Sequence, residues 1–190
     1  MTHLVAHVLK ELRDDHRNMV LMLNLLEREV GHIQAAAEAD YELLKDIMSY
    51  MTVYADAVHH PKEDLIYDKL RSTGTELAAG LDRVVEEHRE IARLSQILRR
   101  DIEAIVAGTE ITRDRVIADT IDYAQRLRQH MAWEEEDIFQ RADELVRQSK
   151  SVSVDVSNLT ATDPVFSQSS EAAFHNLLRS IQAAAEESRH

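Results

Sequence analysis

Residues 2–38 read THLVAHVLKELRDDHRNMVLMLNLLEREVGHIQAAAE. Leu4, Val5, Val8, Leu9, Leu12, Met19, Val20, Leu23, Leu26 and Val30 recur at steps of three and four, which places them on one stripe of an amphipathic helix. Charges interrupt the apolar positions from the first turn onward. The segment therefore lacks the apolar core and small-residue cleavage site of a signal peptide. Nowhere does the chain approach the roughly 18 uninterrupted apolar residues of a membrane span, and a cytoplasmic protein is expected.

The same period continues beyond this helix. Asp40 stands as the N-cap of a second one carrying Leu43, Leu44, Ile47, Met48, Met51 and Tyr54. It meets Pro61 and resumes to about Leu70, where Ser72-Thr73-Gly74 breaks it, so the proline predicts a kink rather than an end. A third helix is expected from about Thr75 to Val106, with Gly80 disturbing its first turns and Gly108 just past its end. A fourth runs from after Thr112 to about Val146. Four long helices with short connections imply an all-α, up-down-up-down four-helix bundle over residues 1–147. Residues 148–190 read as a Ser/Val-rich linker followed by a short amphipathic helix, capped by Ser169 or Ser170, with Phe174, Leu177, Leu178 and Ile181 on one face. So short a helix needs tertiary packing, either docked on the bundle or, as the second choice, in a homodimer contact.

Composition agrees with this architecture. The 190 residues include four glycines and two prolines, about 3% together, against roughly 12% in average usage, which argues against a turn-rich β fold. The length suits one domain with an appendage. No cysteine is present, which removes disulfides, thiolate metal sites and iron–sulfur clusters and leaves only nitrogen and oxygen donors for a metal. Thirty-five acidic residues against twenty-two basic ones give a net charge of −13. That charge opposes nucleic-acid phosphates and anionic membrane surfaces, so neither is an expected partner.

Ten histidines are the unusual count. Depth in the bundle can be counted from the end where helices 1 and 3 start and helices 2 and 4 finish. His16 lies 14 positions after Thr2, His59 15 before Gly74, His88 14 after Gly74 and His130 18 before Gln148. These offsets differ by at most four residues, about 6 Å of helix rise, so each helix contributes one histidine to a common layer. Glu63 and Glu134 follow His59 and His130 by four residues, one turn along the same face. Alternatives exist: His60 and Asp64 are also spaced by four, and Glu135 or Glu136 would replace Glu134 if the helix bulged.

An internal repeat favours the first register. Asp14-Asp15-His16-Arg17 resembles Glu86-Glu87-His88-Arg89 at an offset of 72, and His59/Glu63 maps onto His130/Glu134 at 71. A single helical histidine is more often a surface residue than a ligand, and an exposed His/Glu pair is usually a solvated contact. Four histidines at one depth with two matched carboxylates form a ligand layer suited to a first-row metal. Tyr123, seven residues before His130 and nearly on its face, is a candidate donor behind the ligands, although core packing is the commoner role of a buried tyrosine.

The order His16, His59-x-x-x-Glu63, His88, His130-x-x-x-Glu134, with the phrases DDHRNM, HHPKED, EEHRE and HMAWEEEDIF, resembles the hemerythrin-like HHE cation-binding family over about residues 3 to 147. The resemblance implies a non-haem pair of iron ions, oxo- or hydroxo-bridged, with His16, His59, Glu63, His88, His130 and Glu134 as ligands and the two glutamates bridging. Oxygen-carrying hemerythrins have a fifth histidine one turn from the helix-3 histidine, where this chain has Val84 and Ala92. His60 is the candidate to replace it, with water or an open position as the alternative, and Glu135 is a further candidate ligand. Ferritin-like proteins differ in carrying Glu-x-x-His with carboxylates dominating.

The function expected is binding or sensing of O2, NO or peroxide. The alternative is an enzyme that disposes of peroxide or NO. Iron storage and a metal-free helical interaction protein rank below both.

Overall fold

Apart from the exposed Leu4 and the half-buried Val20, the apolar stripe of the first helix is buried in the computed structural model, which describes residues 2–159, 163–166 and 174–187. Helix α1 spans Val5–Gln34, with Val5, Val8, Leu9, Leu12, Met19, Leu23, Leu26 and Val30 inward. The expectation that helix begins at Thr2 is corrected. Thr2–Leu4 form strand β1, paired antiparallel with β2, Ser153–Asp155, in the register Thr2 to Asp155, His3 to Val154 and Leu4 to Ser153. Leu4 has no side chain to cap the helix, and the Val5 N–H donates instead to the Val152 carbonyl at 3.0 Å. The strand pair thus satisfies a helix-end donor that would otherwise be orphaned. At the other end α1 stops short of Glu38, where Ala36 takes a left-handed conformation with φ 54°.

Asp40 caps α2, Tyr41–Tyr50, its side chain accepting from the Leu43 N–H at 2.9 Å. The helix does not stop at Tyr50. It widens into a π-helical segment, Met51–His59, and continues as α3, His60–Arg71. Pro61 has no N–H for the Ala57 carbonyl, and just before it the His60 N–H bonds the carbonyl of Ala55, five residues back. A 3₁₀ turn, Glu76–Ala78, and Gly80 at φ 73° precede α4, Leu81–Val106, so this helix starts later than the periodicity alone suggests. The fourth rod is α5, Arg113–Trp133, a second π-helical segment, Glu134–Ile138, and α6, Phe139–Gln148.

The four rods build an all-α bundle whose core is divided. One apolar cluster, including Leu23, Leu44, Ile47, Tyr50, Leu98, Ile102 and Leu127, fills the end next to the α1–α2 turn. The other, including Leu9, Leu12, Ile66, Leu70, Val84 and Phe139, fills the end next to the strand pair. Between them lie the buried polar residues Asp15, His16, His59, His60, Glu63, His88, His130 and Glu134.

The residues after the bundle are packed against it. Val154 and Val156 join the second cluster and Val165, Phe174 and Leu177 the first. Asp163 accepts from the Tyr50 hydroxyl at 2.9 Å and from the Val165 and Phe166 N–H groups at 2.8 Å. Helix α7, His175–Glu187, lies on α1 and α2, with Leu178 and Ile181 packed on the core. The Ser169 or Ser170 cap falls outside the described residues. Among the described residues no helix is long and apolar enough to cross a membrane.

Candidate metal centre

The structure brings His16, His59, Glu63, His88, His130 and Glu134 together in the buried layer, joined by His60. Their donors divide into two groups. His16, His59 and Glu63 offer one set of ligand atoms, and His60, Glu63, His88 and His130 offer a second, with Glu63 common to both. Its Oε1 lies 3.4 Å from His16 Nε2 and 3.1 Å from His59 Nε2, while Oε2 lies 3.4 Å from His88 Nε2. Glu134 repeats the arrangement: Oε2 is 3.5 Å from His16 Nε2, and Oε1 is 3.3 Å from His88 Nε2 and 3.1 Å from His130 Nε2. Donors bound at ~2.0–2.1 Å to one ion sit about 3 Å or slightly more apart, the spacing found here.

The layer is electrostatically incomplete by itself. Glu63 and Glu134 are fully buried, and both Glu63 oxygens, Glu134 Oε2, His16 Nε2 and both His130 nitrogens lack a hydrogen-bond partner among the described residues. Leaving such groups unpaired in an apolar bundle is costly. Burial would raise the carboxyl pKa values, but the surrounding imidazoles hold both well below the ordinary range. Burial would likewise lower those of His16 and His88. Contacts with Glu134, Glu135 and Glu63 instead push His16 up to about 11, and contacts with Asp64, Glu134 and Glu63 push His88 up to about 12. Protons on imidazole thus supply the positive charge that a cation would supply, and the donor set fits metal ions.

Carboxylates stand behind four of the five rings. Asp15 lies 3.2 Å from His59 Nδ1, Glu135 3.0 Å from His16 Nδ1, Asp64 3.4 Å from His88 Nδ1 and Asp56 3.6 Å from His60 Nδ1. Such partners fix ring orientation and raise ligand basicity. Glu135 therefore stands on the outer side of His16, where Arg13 also meets it at 3.4 Å. Glu134 and Glu135, consecutive in sequence, flank the same ring from opposite sides, which the π-helical turn at Glu134–Ile138 accommodates. Asp64 partners His88 rather than His60. The His60 ring stacks on His88 with centroids 4.3 Å apart, and burial together with the charge of His88 keeps its pKa well below the usual value, the neutral form a metal requires.

Two tyrosines occupy different positions. Tyr67, not singled out by sequence reasoning, donates to Glu134 Oε1 at 2.5 Å; its signal was the four-residue step from Glu63. Tyr123 is fully buried, and its hydroxyl has no hydrogen-bond partner among the described residues. Burial and the nearby charge of Asp56 raise its pKa. Asp15 and Asp56 were also missed, although Asp15 lies within the DDHR phrase and Asp56 four residues before His60.

Among the described residues, two clefts reach the layer from outside. One of about 410 Å³ ends on His16 between Val20, Met131 and Ala132, with Arg17, Arg128 and Glu135 also lining it. Another of about 200 Å³ ends on His130 and is lined by charged and amide side chains, including Arg83, Glu87, Asp122 and Arg126.

A family model described as the hemerythrin HHE cation-binding domain matches residues 7–142 and, in an overlapping second alignment, residues 79–186. The two alignments start 72 residues apart, the offset that relates the His16 and His88 phrases. Comparison with curated proteins and with solved structures gives no match.

Proposed function

The chain belongs to the hemerythrin HHE cation-binding family, and on that premise we propose that its buried layer holds two iron ions and binds a small ligand of the O2, NO or peroxide class. The observation that carries the proposal is the reach of the carboxylates. Each of Glu63 and Glu134 directs one oxygen to the His16 side and the other to the His88 side, the geometry of a group shared by two neighbouring ions. His16 and His59 would hold the first ion and His60, His88 and His130 the second, with Tyr123 in the adjoining apolar cluster. Bound iron supplies a reversible change of oxidation state and a coordination position for the small ligand.

The protein's own groups determine where that ligand enters. The His16 side has two nitrogens against three on the other, so it keeps more room for an exogenous donor. The cleft that ends on His16 includes the apolar walls of Val20, Met131 and Ala132, suited to a small uncharged molecule. Tyr67 holds Glu134 in place through its hydroxyl, and the carboxylates behind the rings hold the imidazoles.

A second reading, an enzyme that disposes of peroxide or NO, is favoured by the polar cleft at His130, because turnover needs protons and a carrier does not. Rapid mixing of the reduced, iron-loaded protein with O2, NO and H2O2 separates the two. Binding predicts a saturable spectral change that reverses when the ligand is removed. Consumption of many equivalents per chain would replace the binding reading with the enzymatic one.

A further inference from the structure

Among the described residues outside the buried layer, one more set of metal-capable side chains converges. His3 on β1 and His7 and Glu11 on the first turns of α1 step by four residues, and each offers a ligand atom within 4.8 Å of the others. His7 Nε2 is 3.2 Å from Glu11 Oε1, and the rings of His3 and His7 have centroids 5.5 Å apart. An exposed His/Glu pair one turn apart is by itself an ordinary solvated contact. His3 changes that reading. Its backbone is fixed opposite Val154 by the strand pair, and its Nδ1 is buried without a hydrogen-bond partner among the described residues. A buried nitrogen left unpaired is unfavourable unless another group engages it.

We propose that His3, His7 and Glu11 form a second, solvent-facing site for a divalent transition-metal ion, with water completing its shell. Two imidazoles and a carboxylate are the donor set of three-ligand zinc sites and suit other borderline first-row ions. Donors around a tetrahedral ion lie about 3.4 Å apart, so the present spacing closes by rotamer-scale movement of the exposed His7 and the half-buried Glu11. Lys62 Nζ lies 3.7 Å from Glu11 Oε2 and competes for the carboxylate, which makes this the weaker and more exchangeable of the two metal positions. An ion here ties β1 to α1 and, through the strand pair, to Ser153–Asp155. The next step of four from Glu11 reaches Asp15, which holds His59, so the site stands at the outer end of a file of polar residues leading to the back of the buried layer.

Calorimetric titration of Zn2+ into the protein as purified tests the assignment. One weak, rapidly exchanging class of binding is expected, and its affinity should fall at least tenfold in both His3→Ala and His7→Ala while His32→Ala, at the far end of the bundle, leaves it unchanged. Absence of the weak class, or an unchanged affinity in His7→Ala, would overturn the proposal. If His3→Ala disturbs the strand pair, as thermal melting without metal would reveal, His7→Ala decides alone, because His7 lies on the exposed face of α1.

Discussion

The first half of the bundle, α1 to α3, and the second, α4 to α6, carry equivalent donors at equivalent places, yet the two proposed metal positions they would form are unequal. His16 corresponds to His88, His59 to His130 and Glu63 to Glu134 at offsets of 71 or 72. His60 has no counterpart, since Met131 occupies the place 71 residues on. Its ligand atom groups with those of His88 and His130 rather than with those of His16 and His59, and its ring stacks on His88. The near-symmetric pattern explains how two carboxylates come to lie between the His16 and His88 sides of the layer. The single departure from it explains why one group of donors has three imidazoles and the other two.

The helical distortions differ in the same way. In the first half the π-helical segment precedes Pro61 and ends on His59, while in the second it begins on Glu134. Widened turns of this kind recur at functional sites. Here one delivers His59 and His60 as consecutive buried imidazoles and the other lets Glu134 and Glu135 embrace His16.

The largest effect is expected from removing a shared carboxylate. Glu63→Ala or Glu134→Ala should lose both ions, read as iron content, because each serves both positions. For each ion held at 1,000 times its dissociation constant, about 4 kcal/mol of stabilisation is lost. In a domain of this size that corresponds to a fall of roughly 10 °C in melting temperature. Stripping the wild-type protein with a chelator should produce a similar fall, reversed on adding metal back.

His60→Ala tests the asymmetry directly. It should weaken one ion by about 10- to 100-fold and leave the other, so that iron binding splits into two phases. Two equally weakened ions would contradict the assignment of His60 to one side. Tyr67→Phe removes the hydrogen bond to Glu134 without removing a ligand, and a loss in the lower part of the 10- to 100-fold range found for outer partners is expected in equilibrium metal titrations. The smallest effect belongs to His32→Ala. His32 is 45% exposed and bonded to Glu29 at the far end of the bundle, so metal content should be unchanged.

How much of this was legible in the sequence follows from how local each signal is. The helices were legible because apolar period and chain breaks are local, and the depth of the four histidines followed from counting along rods. Asp40 could be read as a cap because capping depends on residues three apart. Thr2–Leu4 were misassigned because what draws them out of the helix is a partner strand about 150 residues later, and no local pattern carries that. The alternatives at His60/Asp64 and Glu134/Glu135 could not be decided from a fixed 100° step, since both turn on local widening of the helix. Tyr67, Asp15 and Asp56 lay within four residues of residues already singled out. They escaped because a partner behind a ligand is defined by which ring it meets across the bundle.

The count of ions in the buried layer tests the central claim most directly. Anaerobic titration of metal-free protein with Fe2+, in the His7→Ala background so that the surface site does not contribute, should reach its endpoint at two ions per chain. An endpoint at one ion, or no tight binding by a normally folded chain, would contradict the shared-carboxylate centre.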